Sequence, residues 1–132
     1  MLAGKILIVD NNTAFASQLK LMLEKAGITV LVRADPVGGN TALNSFKPDI
    51  MVLEMDLAAG GGRNLYRMAR ANEQLADLPI IILSSSNTNP QIWEALEAPS
   101  HPKTLVLRRS PNLRLLLPVA QKLLAAKYGA GK

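Results

Sequence analysis

Asp49-Ile50-Met51-Val52-Leu53-Glu54-Met55-Asp56-Leu57, read as DIMVLEMDL, is an apolar run that ends in two carboxylates two residues apart. Pro48 breaks the chain just before it. A short apolar run without polar interruption is what a strand buried on both faces needs. The stretch therefore predicts a central strand, β3, over Asp49–Leu53. The carboxylates Glu54 and Asp56 follow where such a strand leaves the core, and they suit either an acidic, metal-dependent site or the remains of one.

Working outward, apolar runs alternate with helical patterns. Lys5–Val9 (KILIV) predicts β1. Asn12 or Thr13 can cap α1, where Phe15, Leu19, Met22 and Leu23 recur at helical spacing and Gly27 supplies the end. Ile28–Val32 is β-branched and predicts β2. Pro36–Phe46 predicts a weak helix, α2, opened by Pro36 and diluted by Gly38 and Gly39. Ala58–Gly62 reads as a flexible loop, and Asn64–Leu75 as α3, with Leu65, Met68, Ala69 and Leu75 on its inner side. Leu78–Leu83 predicts β4, Gln91–Ala98 a short helix α4 holding Trp93, and Thr104–Leu107 β5. Leu113, Leu116, Leu117, Ala120, Leu123 and Leu124 form the stripe of a final helix, α5, which Pro118 should kink or delay.

Composition bounds the rest. The chain has 132 residues, 48% of them hydrophobic, which suits one domain over 1–132 with its core at about 4–127. It has no cysteine, so thiolate metal sites, disulfides and cysteine nucleophiles are excluded. No stretch approaches the roughly 18–20 apolar residues of a membrane span, and Met1–Asp10 has no signal-peptide pattern. The expectation is a cytoplasmic domain. All ten acids lie before residue 98, while 98–132 carries seven Lys/Arg and no acid. A basic end of this kind meets nucleic acid, an acidic partner or anionic lipid, or simply solvates a helix face.

Five strands alternating with helices on short connections imply an α/β fold, a parallel sheet with helices on both faces. Ligands of such sheets sit at the carboxyl ends of the strands. That rule selects Asp10-Asn11-Asn12, Glu54-Met55-Asp56, Ser84-Ser85 and Arg108-Arg109-Ser110. Converging carboxylates suit Mg²⁺. A hydroxyl and a cation beside them suit a phosphoryl group. The plainer alternative is that these carboxylates cap helices and solvate the rim.

KILIVDNN (5–12), KPDIMVLEMDL (47–57), LPIIILSSS (78–86) and LRRSPN (107–112), in this order and spacing, resemble the response-regulator receiver domains of two-component signalling. The likeness runs from Lys5 to about Ala126. It implies a flavodoxin-like, CheY-like doubly wound sheet of five parallel strands, order 2-1-3-4-5, in three α/β/α layers. It also implies an acidic pocket at Asp10 and Asn11, a phosphoacceptor position six residues after Pro48, a hydroxyl position at Ser84 and a lysine position at Arg109 or Ser110. The acceptor position holds Glu54, and the second acid of the pocket is replaced by Asn11. Asp56 stands where the family offers a backbone carbonyl to the metal, and it is readable as a surrogate acceptor or metal ligand, or as a residue that caps the loop or faces solvent. The aromatic residue expected before the lysine is absent: Val106 or Leu107 stands there.

Glu is one methylene longer than Asp, and misplacement by about 1 Å can cost on the order of 100-fold in rate. Asn11 weakens the Mg²⁺ site, so no cofactor is expected, or Mg²⁺ only weakly. These departures point to a pseudo-receiver, not an enzyme, acting by protein–protein contact through the α4–β5–α5 face. Its expected partners are a histidine kinase, an effector or a second copy of the chain. One alternative is a receiver still phosphorylated with Mg²⁺. Another is nucleic-acid binding by residues 103–132, against which stand an aromatic content of 4% and cations interleaved with leucines that a core needs. His101 reads as a loop residue rather than a relay histidine. Ser84-Ser85-Ser86 lacks a nucleophile-elbow pattern. Gly60-Gly61-Gly62-Arg63 lacks the Lys-Ser/Thr ending of a phosphate loop.

Overall fold

The computed structural model describes residues 4–55, 57, 61–84, 102–108 and 113–128. Five strands form one parallel sheet in the order β2-β1-β3-β4-β5. They are β1 Lys5–Val9, β2 Thr29–Arg33, β3 Ile50–Glu54, β4 Ile80–Ser84 and β5 Thr104–Arg108. The central register runs Val9↔Leu53 between β1 and β3 and Glu54↔Leu83 between β3 and β4. The expected α/β architecture and strand order are those observed, and the α4 expectation at 91–98 lies outside the described residues.

Alternation along the buried strands divides the core in two. Leu7, Val9, Met51, Leu53, Ile80 and Ile82 face α2 and α3. Ile6, Ile8, Ile50, Val52, Ile81 and Leu83 face α1 and α5. This is why the strands read as unbroken apolar runs: each pleat has a hydrophobic layer on either side.

α1, Thr13–Lys25, starts where the Asn12 side chain accepts a hydrogen bond from the Phe15 amide, and Gly27 takes φ 91° beyond its end. α2, Pro36–Ser45, is capped by Asp35, whose Oδ1 accepts from the Gly38 amide at 2.6 Å. Lys47, one residue beyond the α2 C-cap, holds φ 53°. That left-handed conformation normally falls to glycine or asparagine and costs a lysine about 1 kcal/mol.

Three expectations change. α3 spans Gly61–Ala71, so it begins inside the glycine run, and at Asn72 it gives way to a 3₁₀ turn over Glu73–Leu75. Gly62 explains the early start. A Cβ there would lie 2.5 Å from the Met55 carbonyl oxygen and 2.6 Å from that of Glu54. The first turn of α3 therefore rests on the end of β3 because Gly62 has no side chain. Met68 is not on the inner side but 52% exposed. The buried face is Gly62, Leu65, Tyr66 and Ala69, and at 100° per residue Met68 falls well off its centre. α5 runs unbroken from Leu113 to Tyr128, so Pro118 does not delay it. Pro118 is exposed, and the backbone bond that it forgoes lies on the solvent side.

Gly62→Ala is expected to destabilise the fold by about 2 kcal/mol. The overpacking against backbone exceeds the helix-propensity gain of about 1 kcal/mol. Urea unfolding of the two proteins measures the difference, and a stabilised variant would refute the close approach.

Two polar networks close the other end of the sheet. Asp49 Oδ2 accepts from the Lys5 amide at 2.8 Å, Oδ1 accepts from Lys127 Nζ at 2.7 Å, and the Asp49 amide donates to the Lys5 carbonyl at 2.7 Å. One carboxylate thus ties β1, β3 and the last turn of α5. Arg70 donates to the carbonyls of Ala76 (3.0 Å), Leu78 (2.7 Å) and Lys103 (3.1 Å) and to Thr104 Oγ1 (2.6 Å). Thr104 Oγ1 also bonds the Tyr66 hydroxyl at 2.8 Å, and the guanidinium lies 5.4 Å from the Tyr66 ring centre.

Candidate functional site

The carboxyl ends of β1 and β3 bring the first two candidates together. Val9 and Leu53 are the last residues that β1 and β3 pair with each other, and Asp10 and Glu54 each follow directly. Neighbouring parallel strands are about 4.8 Å apart, so the two residues stand side by side at the strand ends. Both residues are buried, at 1% exposure each. Few acids are that buried unless they serve a structure or a site.

Asp10 has an identifiable structural duty. Its amide donates to the Arg33 carbonyl, and its Oδ1 accepts from the Asn12 amide at 2.8 Å. The same bond holds Asn12 where it caps α1. Asp10 thus fulfils part of the plain helix-capping reading while remaining at the strand-end rim. Asn11 is exposed beside it.

Glu54 closes β3. The next amide, Met55 N–H, donates to the Leu83 carbonyl at 3.1 Å, which locks the β3 end to β4. Ser84 follows Leu83 as the last residue of β4, opposite Arg108 on β5. The backbone therefore sets Asp10, Glu54 and Ser84 along one edge on three adjacent strands. The Ser84 and Arg108 side chains, and all of Asp56, Arg109, Ser110, His101 and Trp93, lie outside the described residues.

Chemically, two adjacent carboxylates fit Mg²⁺, which is often held by one or two carboxylates with water completing the octahedron. Asn11 adds an oxygen but no charge. Among the described residues no group of three or more His, Cys, Asp or Glu side chains is placed to hold a metal.

Sequence reading found Asp10, Asn11, Glu54 and Ser84 through the strand-end rule. It did not single out Gly62, which carries the α3 turn on the Glu54 and Met55 carbonyls directly behind the site. The available signal was three glycines after a strand, read as looseness when the last of them permits contact.

A model of the response regulator receiver domain matches residues 6–101. The DNA-binding response regulator MtrA of Mycobacterium tuberculosis is 28% identical over 118 residues, covering 83% of this chain and 50% of MtrA. The alkaline phosphatase synthesis transcriptional regulatory protein SphR of Synechococcus elongatus is 34% identical over 107 residues, covering 72% of this chain and 40% of SphR. The chain thus spans about half the length, or less, of these curated relatives. Among solved structures, the receiver domain of the Francisella response regulator 1452 aligns with a TM-score of 0.78 at 22% identity, over 94% of this chain and 98% of that one. The chemotaxis protein CheY4 of Vibrio cholerae aligns with a TM-score of 0.78 at 21% identity, over 92% of this chain and 98% of that one.

Proposed function

This chain belongs to the response regulator receiver domain family, and from that premise we propose that it is a pseudo-receiver: a cytoplasmic signalling module that acts by protein–protein contact without being phosphorylated. The observation that carries the reading is Glu54. It ends β3 beside Asp10, buried to 1%, and its place six residues after Pro48 supports reading it as the family's phosphoacceptor position. A glutamate carboxylate stands one methylene further from the backbone than that of an aspartate. Phosphoryl transfer is almost wholly positioning and charge neutralisation, so this extension, with Asn11 beside it, removes the geometry that the transfer needs.

The module is read as a single domain over 1–132, a binding module rather than an enzyme. Its output surface is the α4–β5–α5 face. Leu105 and Val106 of the edge strand β5 are 39% and 37% exposed, which gives that surface apolar contact area. A histidine kinase, an effector or a second copy of the chain would dock there. Among the described residues no helix is long and apolar enough to cross a membrane.

A second reading rests on the same two buried carboxylates. Asp10 and Glu54 would hold Mg²⁺, the ion would neutralise phosphoryl oxygens, and Glu54 or Asp56 would accept the group from a kinase. Nucleic-acid binding by residues 103–132 is less well supported, because Lys127 is committed to Asp49 and Leu116 and Leu124 are buried in the core.

A ¹H–¹⁵N amide spectrum titrated with Mg²⁺ and then beryllofluoride separates these readings. The expected result is no shift at Asp10, Glu54 or Ser84 at millimolar Mg²⁺. Shifts that begin there and spread into β5 would replace the pseudo-receiver with a receiver that still switches on phosphorylation.

A further inference from the structure

At the end of the sheet opposite Asp10 and Glu54, the amino ends of β3, β4 and β5 enclose an open groove of about 860 Å³. Leu43, Leu78 and Leu123 give it apolar walls, and Lys47, Lys103 and Lys127 line it with cations. Among the described residues Asp77 is the one acid in the lining. We propose that this groove docks an acidic peptide segment of a partner protein, one that seats an apolar side chain between the leucines and sets carboxylates against Lys47 and Lys103.

Three features support this. First, the walls are pre-organised. Arg70 pins the carbonyls of Ala76, Leu78 and Lys103, which belong to the two connections that border the groove. Asp49 fixes Lys127 to the base of β3. A site whose lining is already held in place loses less entropy on binding.

Second, Lys47 is placed at a cost. The residue after a helix C-cap with φ 53° is normally glycine, yet this chain sets an exposed lysine there, on the groove. A strained backbone residue kept against its preference is a reason to look for function.

Third, the shape selects the ligand class. Small-molecule sites bury about 70–90% of their ligand. This groove is open along one side and suits an extended segment better than a compact molecule. Its cations complement acid, and its leucines require an apolar anchor. The proposal does not depend on the state of Glu54, which lies at the other end of the strands.

The probe is a fluorescent synthetic peptide, Glu-Leu-Asp repeated three times, titrated into the ¹⁵N-labelled chain. A control has serine in place of each leucine. The expected shifts gather at Leu43–Lys47, Gln74–Leu78, Lys103 and Leu123–Lys127. Lys47→Gly with Lys103→Gln is expected to weaken binding about fivefold. Lys47→Gly relieves the left-handed strain, and thermal unfolding of the double variant alongside the titration separates a loss of binding from a loss of fold. Three results would overturn the proposal: no shifts at millimolar peptide, shifts centred on β5, or equal binding of the serine control. A fourth would be 4-phenylbutyrate binding the groove as tightly as the peptide, which would assign it to small amphiphilic anions.

Discussion

Arg70→Ala is expected to lower the unfolding free energy by about 3 kcal/mol, the largest single loss among the substitutions considered. Arg70 is one fork serving acceptors from two stretches of chain: Ala76 and Leu78, which lead into β4, and Lys103 and Thr104, at the start of β5. Hydrogen bonds from a charged donor contribute about 1.5–3 kcal/mol each in favourable cases, and truncation leaves partly buried carbonyls without a donor. They are not additive, and water recovers some of the acceptors at the exposed side, which holds the sum near 3 kcal/mol rather than twice that. Arg70→Lys should recover little of the loss, because an ammonium cannot reproduce the planar fork or its place over Tyr66. Thermal unfolding followed by circular dichroism measures both variants. A lysine variant as stable as the parent would show that charge, not geometry, is what Arg70 supplies.

Asp49→Ala is expected to cost about 2–3 kcal/mol. The carboxylate is buried and accepts from a backbone amide of β1 and from Lys127 of α5. Removing one partner of a buried ion pair typically costs 3–5 kcal/mol because the other charge stays buried. Here the Lys127 side chain is 47% exposed and returns to water, so the loss falls below that range. What remains is the Lys5 amide without its acceptor and α5 without its anchor. Asp49→Asn keeps an oxygen for the Lys5 amide and gives up only the ion pair, so its cost should be near 1 kcal/mol. The two variants together divide the effect between hydrogen bond and charge. Equal losses would mean that the ion pair carries nearly all of it.

Both networks join residues far apart in the chain, and neither was singled out in the sequence. Arg70 stands in the last turn of α3, where a cation is favourable for the helix dipole in any case. Its acceptors are backbone carbonyls, which every residue has, so no residue type marks them. Asp49 was visible only as the first residue of an apolar run. Its partner Lys127 sat among the charges of a basic helix, any of which could have been solvated.

The candidate site was more legible, because its rule is local. A strand buried on both faces must end, and the residue after it meets the rim. Asp10 and Glu54 follow from counting along KILIVD and DIMVLE. The dual duty of Asp10, at the rim and capping the turn into α1, was not legible, since it depends on one oxygen reaching the Asn12 amide.

By itself the sequence determined the α/β class, four of the strands to within one or two residues at each end and β1 without error, and the presence of glutamate rather than aspartate at the end of β3. Periodicity and chain-breaking residues suffice for that, because burial on a pleated or helical surface repeats every two or 3.6 residues. Tertiary structure alone decided where α3 begins, which way Met68 faces, and how Lys47, Lys103 and Lys127 come to line one groove. Those outcomes turn on whether one backbone can approach another, as at Gly62, and on carbonyls and cations that only the folded chain brings within reach.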